Sequence, residues 1–296
     1  MNKEEFGIIH DYYPREKMIS IKKRNSLSFF YFSKSALQLF KRAMEHESVF
    51  VEIEYSDKEK VLKNIIAKEI TVIHKIQYQT KKGPKSLFDV SVIKEDVKKL
   101  INLDTYKAFL DFELTMPAYN ERHPFTPEII QIGMVIANEK DEIVNIYTTY
   151  VNPEVPISDR AKRFLGISKE SFKDAVSYDQ FYNEYKNLLS IYRPIIYVWG
   201  SNDVKALNDS FTLHKVKPLK ARYEDLLKHH KHYYELKNDL GLFTALKIYR
   251  GIEADQVHHA LTDATATKEV FDGFKKKVNG LIDIEIKNGP QSADAV

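Results

Sequence analysis

The chain contains no cysteine. That absence excludes a disulfide scaffold, thiol catalysis and Cys-ligated zinc, and it fits a cytoplasmic protein. No run of about 18 apolar residues occurs, which excludes a transmembrane helix and a membrane partner of that kind. The first residues, from Met1 to Gly7, lack the apolar stretch of a secretory signal. Internal repeats are also missing. What is present is a core: 43% of the 296 residues are hydrophobic and 12% aromatic, too many for wholesale disorder. The length is about twice that of an ordinary domain and points to two domains. Net charge is +3, unevenly placed: residues 1–104 hold 20 Lys+Arg against 15 Asp+Glu, and the remainder has a balance of −2. The basic excess favours a polyanion partner for the N-terminal part, although lysine-rich surfaces also serve solubility alone.

Short strands dominate the first hundred residues: Gly7–Tyr13, Met18–Lys22, Leu27–Phe32, Ser48–Tyr55 and Ile65–Ile76. In Ser48–Tyr55, Val49, Val51 and Ile53 alternate with Phe50, Glu52 and Glu54, the period of a half-buried strand. Ser35–Glu45 carries Ala36, Leu39, Phe40 and Ala43 at helical spacing. Five strands with a helix after the third match an OB-type barrel. Lys81–Lys85 reads as a turn or linker, and Val97–Leu103 as a bridge to the next domain. From Tyr106 the rhythm becomes three strands (Ala108–Leu114, Ile129–Ala137, Ile143–Val151) and then helices alternating with strands. Helix Tyr178–Tyr192, strand Ile195–Trp199, helix Asp203–Phe211 and closing helices over Asp239–Tyr249 and His259–Lys277 complete it. This order predicts an α/β domain with a mixed sheet flanked by helices. The expected division is a small β-rich OB-like domain over 1–80, a linker with a short helix over 81–105, a second domain over 106–278 and a flexible tail over 279–296.

Three acidic clusters stand out. In Phe109-Leu-Asp111-Phe-Glu113-Leu, Asp111 and Glu113 share one strand face, about 7 Å apart along the chain. Two such carboxylates either hold a cation between them or line a solvated edge. Asp203 follows the apolar strand Ile195–Trp199, as a helix N-cap or at the carboxyl end where α/β sheets bind ligands. Asp263 heads the stripe Asp263, Ala266, Val270, Phe274 of the last helix, where a lone carboxylate is costly unless it binds a metal or is hydrogen-bonded. His258 lies five residues earlier, either hanging over the same place or serving as a structural histidine.

In this order and context, Asp-x-Glu on a first strand, Trp199-Gly-x-x-Asp203 after a later one and His258-x4-Asp263 on the last helix resemble the DEDDh 3′–5′ exonucleases. These belong to the RNase T/DnaQ-like superfamily of ribonuclease H-like fold. The resemblance covers residues 106–278 and includes Glu128-Ile-Ile-Gln-Ile-Gly133, Phe164-Leu-Gly-Ile-Ser168, Ser177-Tyr-Asp-Gln-Phe181 and Arg222-Tyr-Glu-Asp-Leu-Leu227. Trp199-Gly200 and His258-His-Ala-Leu-Thr-Asp263 are most similar to the ERI/KapD-like branch, with His259 in place of a more usual arginine. The resemblance implies hydrolysis of RNA or single-stranded DNA from 3′ ends. Asp111, Glu113, Asp203 and Asp263 would hold two Mg²⁺ or Mn²⁺ ions, which oxygen-only ligands suit, and His258 would act as general base. Leu114, Thr115, Met116, Trp199 and Asn202 would meet the substrate. The alternatives are a catalytically silent nucleic-acid-binding scaffold and a DNA proofreading exonuclease; the filled five positions favour the enzyme.

The N-terminal run Ser28-Phe-Phe-Tyr-Phe-Ser33 places aromatics on both strand faces and, with Gly7-Ile-Ile and Val49–Glu54, distantly resembles a cold-shock-type OB domain. Phe30, Phe32, Tyr12 and Lys22 are its candidate nucleic-acid platform, by base stacking and phosphate contact; packing or protein binding are the other readings. His229-His230-x-His232 reads as a solvated loop or helix end rather than a metal site.

Overall fold

Lys3–Tyr13 (β1), Met18–Lys23 (β2) and Ser26–Tyr31 (β3) form an antiparallel meander. The short helix Leu37–Ala43 (α1) and the long strands Phe50–Leu62 (β4) and Ile65–Thr80 (β5) follow. The computed structural model describes residues 3–23, 26–34, 36–81, 83–87, 90–119, 125–251 and 258–286. β1 also pairs with β4, β4 with β5, and β5 runs parallel to β3 through Phe30–Lys68 and Tyr31–Glu69. The five strands thereby close on themselves, the OB-like barrel that their number predicts. Inside are Ile9, Ile19, Ile21, Phe30, Phe32, Val51, Ile53, Ile73 and Ile76, with Phe40 of α1 packed among them. The β4–β5 hairpin turns on Lys63 and Asn64, both at positive φ (48° and 63°), the backbone that lets a two-residue turn follow the strand twist.

The segment after β5 differs from the linker expected there. Lys81 begins a tight turn, Thr80 Oγ1 donates to the Gly83 carbonyl at 2.7 Å, and Gly83–Leu87 (β6) pairs back onto β5. The helix Val90–Ile101 (α2) starts seven residues before the expected bridge. The chain divides into two compact units within α2, at Asp96 and Val97.

The second unit holds a five-stranded sheet of order β11-β10-β7-β8-β9. Its strands are Lys107–Leu114 (β7), Ile129–Ala137 (β8), Ile143–Tyr150 (β9), Ile195–Val198 (β10) and Arg222–Asp225 (β11). β8 runs antiparallel to β7 and β9, whereas β10 is parallel to β7 and β11, giving the mixed ribonuclease H-like sheet. Helices Asp159–Leu165 (α3), Tyr178–Tyr192 (α4), Asn202–Leu213 (α5), Leu226–Tyr233 (α6), Leu242–Arg250 (α7) and Ala260–Val278 (α8) complete it. Leu110 and Phe112 of β7 pack with Phe181 and Tyr185 of α4 and Leu207 and Phe211 of α5. The preceding Phe109 meets Phe271 of α8, ring centroids 5.1 Å apart, on the opposite face. Asp111 and Glu113, in step with Phe109, therefore face α8.

Other features have local causes. The motif Phe164-Leu-Gly ends a helix: α3 is capped by Ser158 at its start and by Gly166 in the left-handed region at its end. The histidine-rich run lies in α6, and His230 is fully buried, its Nε2 3.0 Å from the Tyr249 hydroxyl. The solvated reading is wrong for it because Trp199, Tyr234 and Phe274 enclose the ring. Residues 287–296 of the expected tail lie outside the described residues. No helix among the described residues is long and apolar enough to cross a membrane.

Candidate active site

The site is assembled where the carboxyl end of β7 meets the start of α8. Gly133 of β8 explains how the two come so close. A Cβ at that position would lie 2.2 Å from the Ala260 backbone, so glycine is required for α8 to rest on the sheet. Asp263, in the first turn of α8, is thereby carried to the acidic face of β7. One ligand atom each from Glu113, His258 and Asp263 falls within 4.8 Å of the others. Asp203 arrives from the other side of the strand, its Oδ1 accepting the Phe112 N–H at 3.0 Å. That bond, rather than capping, accounts for Asp203: Ser201 holds the N-cap position of α5, and Asp203 sits inside the first turn, 9% exposed.

Burial pushes all four acids upward, and neighbouring acids add to it at Asp111, Glu113 and Asp263. The Asp111 carboxyl is raised well above its ordinary range, first by burial and then by Asp203, Asp263 and Glu113. Burial, Asp263 and Asp203 push Glu113 to about 8. Asp263 rises to about 7 through burial and Asp203. Asp203 reaches about 6, burial being offset in part by the Phe112 N–H. Asp263 Oδ1 is buried and accepts no hydrogen bond from a described residue. An oxygen with no donor, among acids that repel one another, fits a divalent cation held by hard ligands. His258 stacks on Phe164, centroids 4.0 Å apart, and burial lowers its pKa.

The expected substrate contacts are scattered around this centre. Leu114 packs against the α4/α5 side of the core. Thr115 is buried: its N–H donates to the Glu128 carbonyl and its hydroxyl accepts the Glu128 N–H, both at 2.8 Å. The Met116 carbonyl accepts from the Ser158 hydroxyl at 2.8 Å. Trp199 donates through Nε1 to the Leu240 carbonyl at 3.0 Å, and Asn202 is exposed at the first position of α5. In the first unit, Phe30 and Phe32 are 2% and 3% exposed and belong to the barrel core, so they offer no face to a ligand. Tyr12 stacks on Phe32 at 6.5 Å with its hydroxyl buried, and only Lys22 of the four candidates is exposed. Phe29 and Tyr31, one position out of step, are the half-exposed rings of that strand.

Two further residues hold the site without having been singled out from sequence. Glu128 accepts the N–H groups of Glu154 and Val155 at 2.7 and 3.0 Å, tying the loop before α3 to β8. Gln131 bonds to His259 and to the Ala260 N–H. The signal for Gln131 was present: a single amide within the apolar run Ile129–Ile132, in a strand buried along its whole length.

The RNase T family model, described as an exonuclease, matches residues 108–271, more than half of the chain and a span that contains Asp111, Glu113, Asp203, His258 and Asp263. The chain belongs to the RNase T exonuclease family. The exonuclease family match lies within its second unit. A DNA polymerase III PolC-type from Caldanaerobacter subterraneus subsp. tengcongensis is 30% identical over 151 residues, 49% of this chain. The match spans only 10% of that polymerase's length. Among solved structures, a full-length 3′-exonuclease shares the fold at 20% identity and TM-score 0.51, covering 64% of this chain and 92% of that one. The cell-death related nuclease 4 (CRN-4) does so at 17% identity and TM-score 0.50, covering 60% and 66%.

Proposed function

We propose that the chain is a 3′–5′ exonuclease that hydrolyses RNA or single-stranded DNA with two Mg²⁺ or Mn²⁺ ions and His258 as general base. The observation that supports this best is the cluster itself: four acids wholly or half buried and all raised, three of them partly by their acidic neighbours, with an unpaired Asp263 oxygen and His258 at its edge. Asp111, Glu113, Asp203 and Asp263 would hold the ions. When bound, the ions would supply charge neutralisation for the attacking and leaving oxygens of an in-line displacement. His258 is kept neutral near pH 7 by its burial and is ready to take a proton at a ring nitrogen from the attacking water. The oxygen of that water bonds to phosphorus as the bond to the preceding nucleotide's 3′ oxygen breaks. Leu114, Thr115, Met116, Trp199 and Asn202 remain the proposed substrate contacts, with Leu114 or Met116 against the last base.

The proposed organisation is an OB-like first unit that includes β6 and ends within α2, in place of the boundary at 80 and the linker over 81–105, then the exonuclease domain over 106–278 and a tail over 279–296. With Phe30 and Phe32 inside the barrel, nucleic-acid binding by the first domain rests on Lys22, the half-exposed Phe29 and Tyr31, and the basic excess of this region. Degradation of matched 5′-labelled RNA, single-stranded DNA and duplex, with Mg²⁺ and with Mn²⁺, tests the whole reading. Stepwise shortening from the 3′ end that stops on chelation is expected. Binding without cleavage under every metal condition would leave the silent scaffold instead, and preference for mismatched DNA ends would favour proofreading.

A further inference from the structure

We infer that Gln131 and His259 form a latch that positions His258 and Asp263 against the acidic strand; this rests on the exonuclease reading of the site. Gln131 lies directly opposite Glu113 in the β7–β8 register and is 2% exposed. Its Oε1 accepts the Ala260 N–H at 3.2 Å, and its Nε2 lies 2.8 Å from His259 Nε2. His259 occupies the N-cap position of α8, but its side chain makes no capping bond there. A residue 129 positions away in sequence thus satisfies a free N–H at the start of the helix. The first helical bond joins the Asp263 N–H to the His259 carbonyl at 3.1 Å, and His258 is the preceding residue. Both proposed site residues are therefore referenced to the segment that Gln131 grips.

The geometry also fixes the polarity of the latch. A backbone N–H can only donate, so the group facing Ala260 is the Gln131 oxygen and the group facing His259 is its NH₂. His259 Nε2 then accepts, and its proton sits on Nδ1. An arginine at 259 would bring only donors to the NH₂ of Gln131. A glutamate at 131 would accept from both the Ala260 N–H and such an arginine.

The test uses the full chain. Side-chain ¹H–¹⁵N spectra of the histidines, with His259 assigned by its loss in His259→Arg, should show the Nδ1–H form in the wild type. Gln131→Leu should shift it toward the Nε2–H form. In cleavage assays Gln131→Leu and His259→Arg should each lower kcat about 10- to 100-fold, as a misplacement near 1 Å does, with KM within about threefold. The pair Gln131→Glu with His259→Arg should recover kcat to within about threefold of wild type, which a general loss of folding would not allow. The Nε2–H form in the wild type, or a double variant no better than His259→Arg, overturns the latch. A wild type with the Nδ1–H form that cleaves nothing overturns the exonuclease reading and leaves the latch standing.

Discussion

The two ends of β7 bury acids in opposite ways. Near its start, fully buried Lys107 lies 2.9 Å from Asp141, which also receives Lys275 at 2.6 Å. Burial alone would raise the Asp141 carboxyl, but the two ammonium groups hold it below its ordinary range. Near the other end, Asp111 and Glu113 face Asp203 and Asp263, and no lysine or arginine pairs with them among the described residues. The desolvation is of the same kind at both ends; what differs is who supplies the positive charge. A protein that provides its own cations makes a strut, and one that withholds them makes a place for a cation from solution.

The contrast can be broken most sharply at the unpaired end. Asp111→Ala should lower nucleolytic turnover by several orders of magnitude while the circular dichroism spectrum stays native; undiminished cleavage would remove the site assignment. His258→Ala should follow with a loss of about 10²–10⁴-fold in kcat, the usual contribution of a general base. His259→Ala, which removes one of the two Gln131 bonds, should lose far less, and the reverse ranking would mean that the wrong histidine carries the proton. At the paired end, Asp141→Asn should strand the Lys107 charge and lower stability by about 3 kcal/mol in urea unfolding. The specific activity of its folded fraction should not change. A smaller effect follows from pH. Between about pH 4 and 8 the folded protein binds more protons than the unfolded chain at Asp111, Glu113, Asp203 and Asp263, so metal-free stability should fall as pH rises through that window. Calorimetry with a chelator should show Tm dropping by at least about 3 °C from pH 5 to 8 beyond the drop in Asp111→Asn. Mg²⁺ or Mn²⁺ should reverse it.

Much of the site was legible because its residues stand on regular elements. Asp111 and Glu113 follow the period of two, and Asp263 heads a stripe whose Ala266, Val270 and Phe274 are all buried as the helical spacing requires. That the sheet is mixed and flanked by helices was legible from the strand and helix rhythm; the order of its strands was not. Phe30 and Phe32 were misjudged because Ser28–Ser33 is aromatic on both faces, and period alone does not say which face turns inward. Gly83–Leu87 was missed because five residues containing Gly, Pro and Lys have no strand signature and gain their form from pairing with β5. The burial of His230 depends on Trp199 and Phe274, distant in sequence, and the grip of Gln131 on Ala260 is likewise a tertiary event.

The seat of α8 on Gly133 sets the tolerance of the whole site. Where side chains meet, small errors are absorbed by turning a rotamer; where main chain rests on main chain, nothing can turn. The distance from strand to helix is then a hard stop, and the placement of Asp263 relative to Glu113 is gauged by it. A single methyl group added at 133 would act as a shim, lifting the helix and its carboxylate together while leaving every acid chemically intact. The dimension on which the chemistry depends is thus recorded at a residue that carries no functional group.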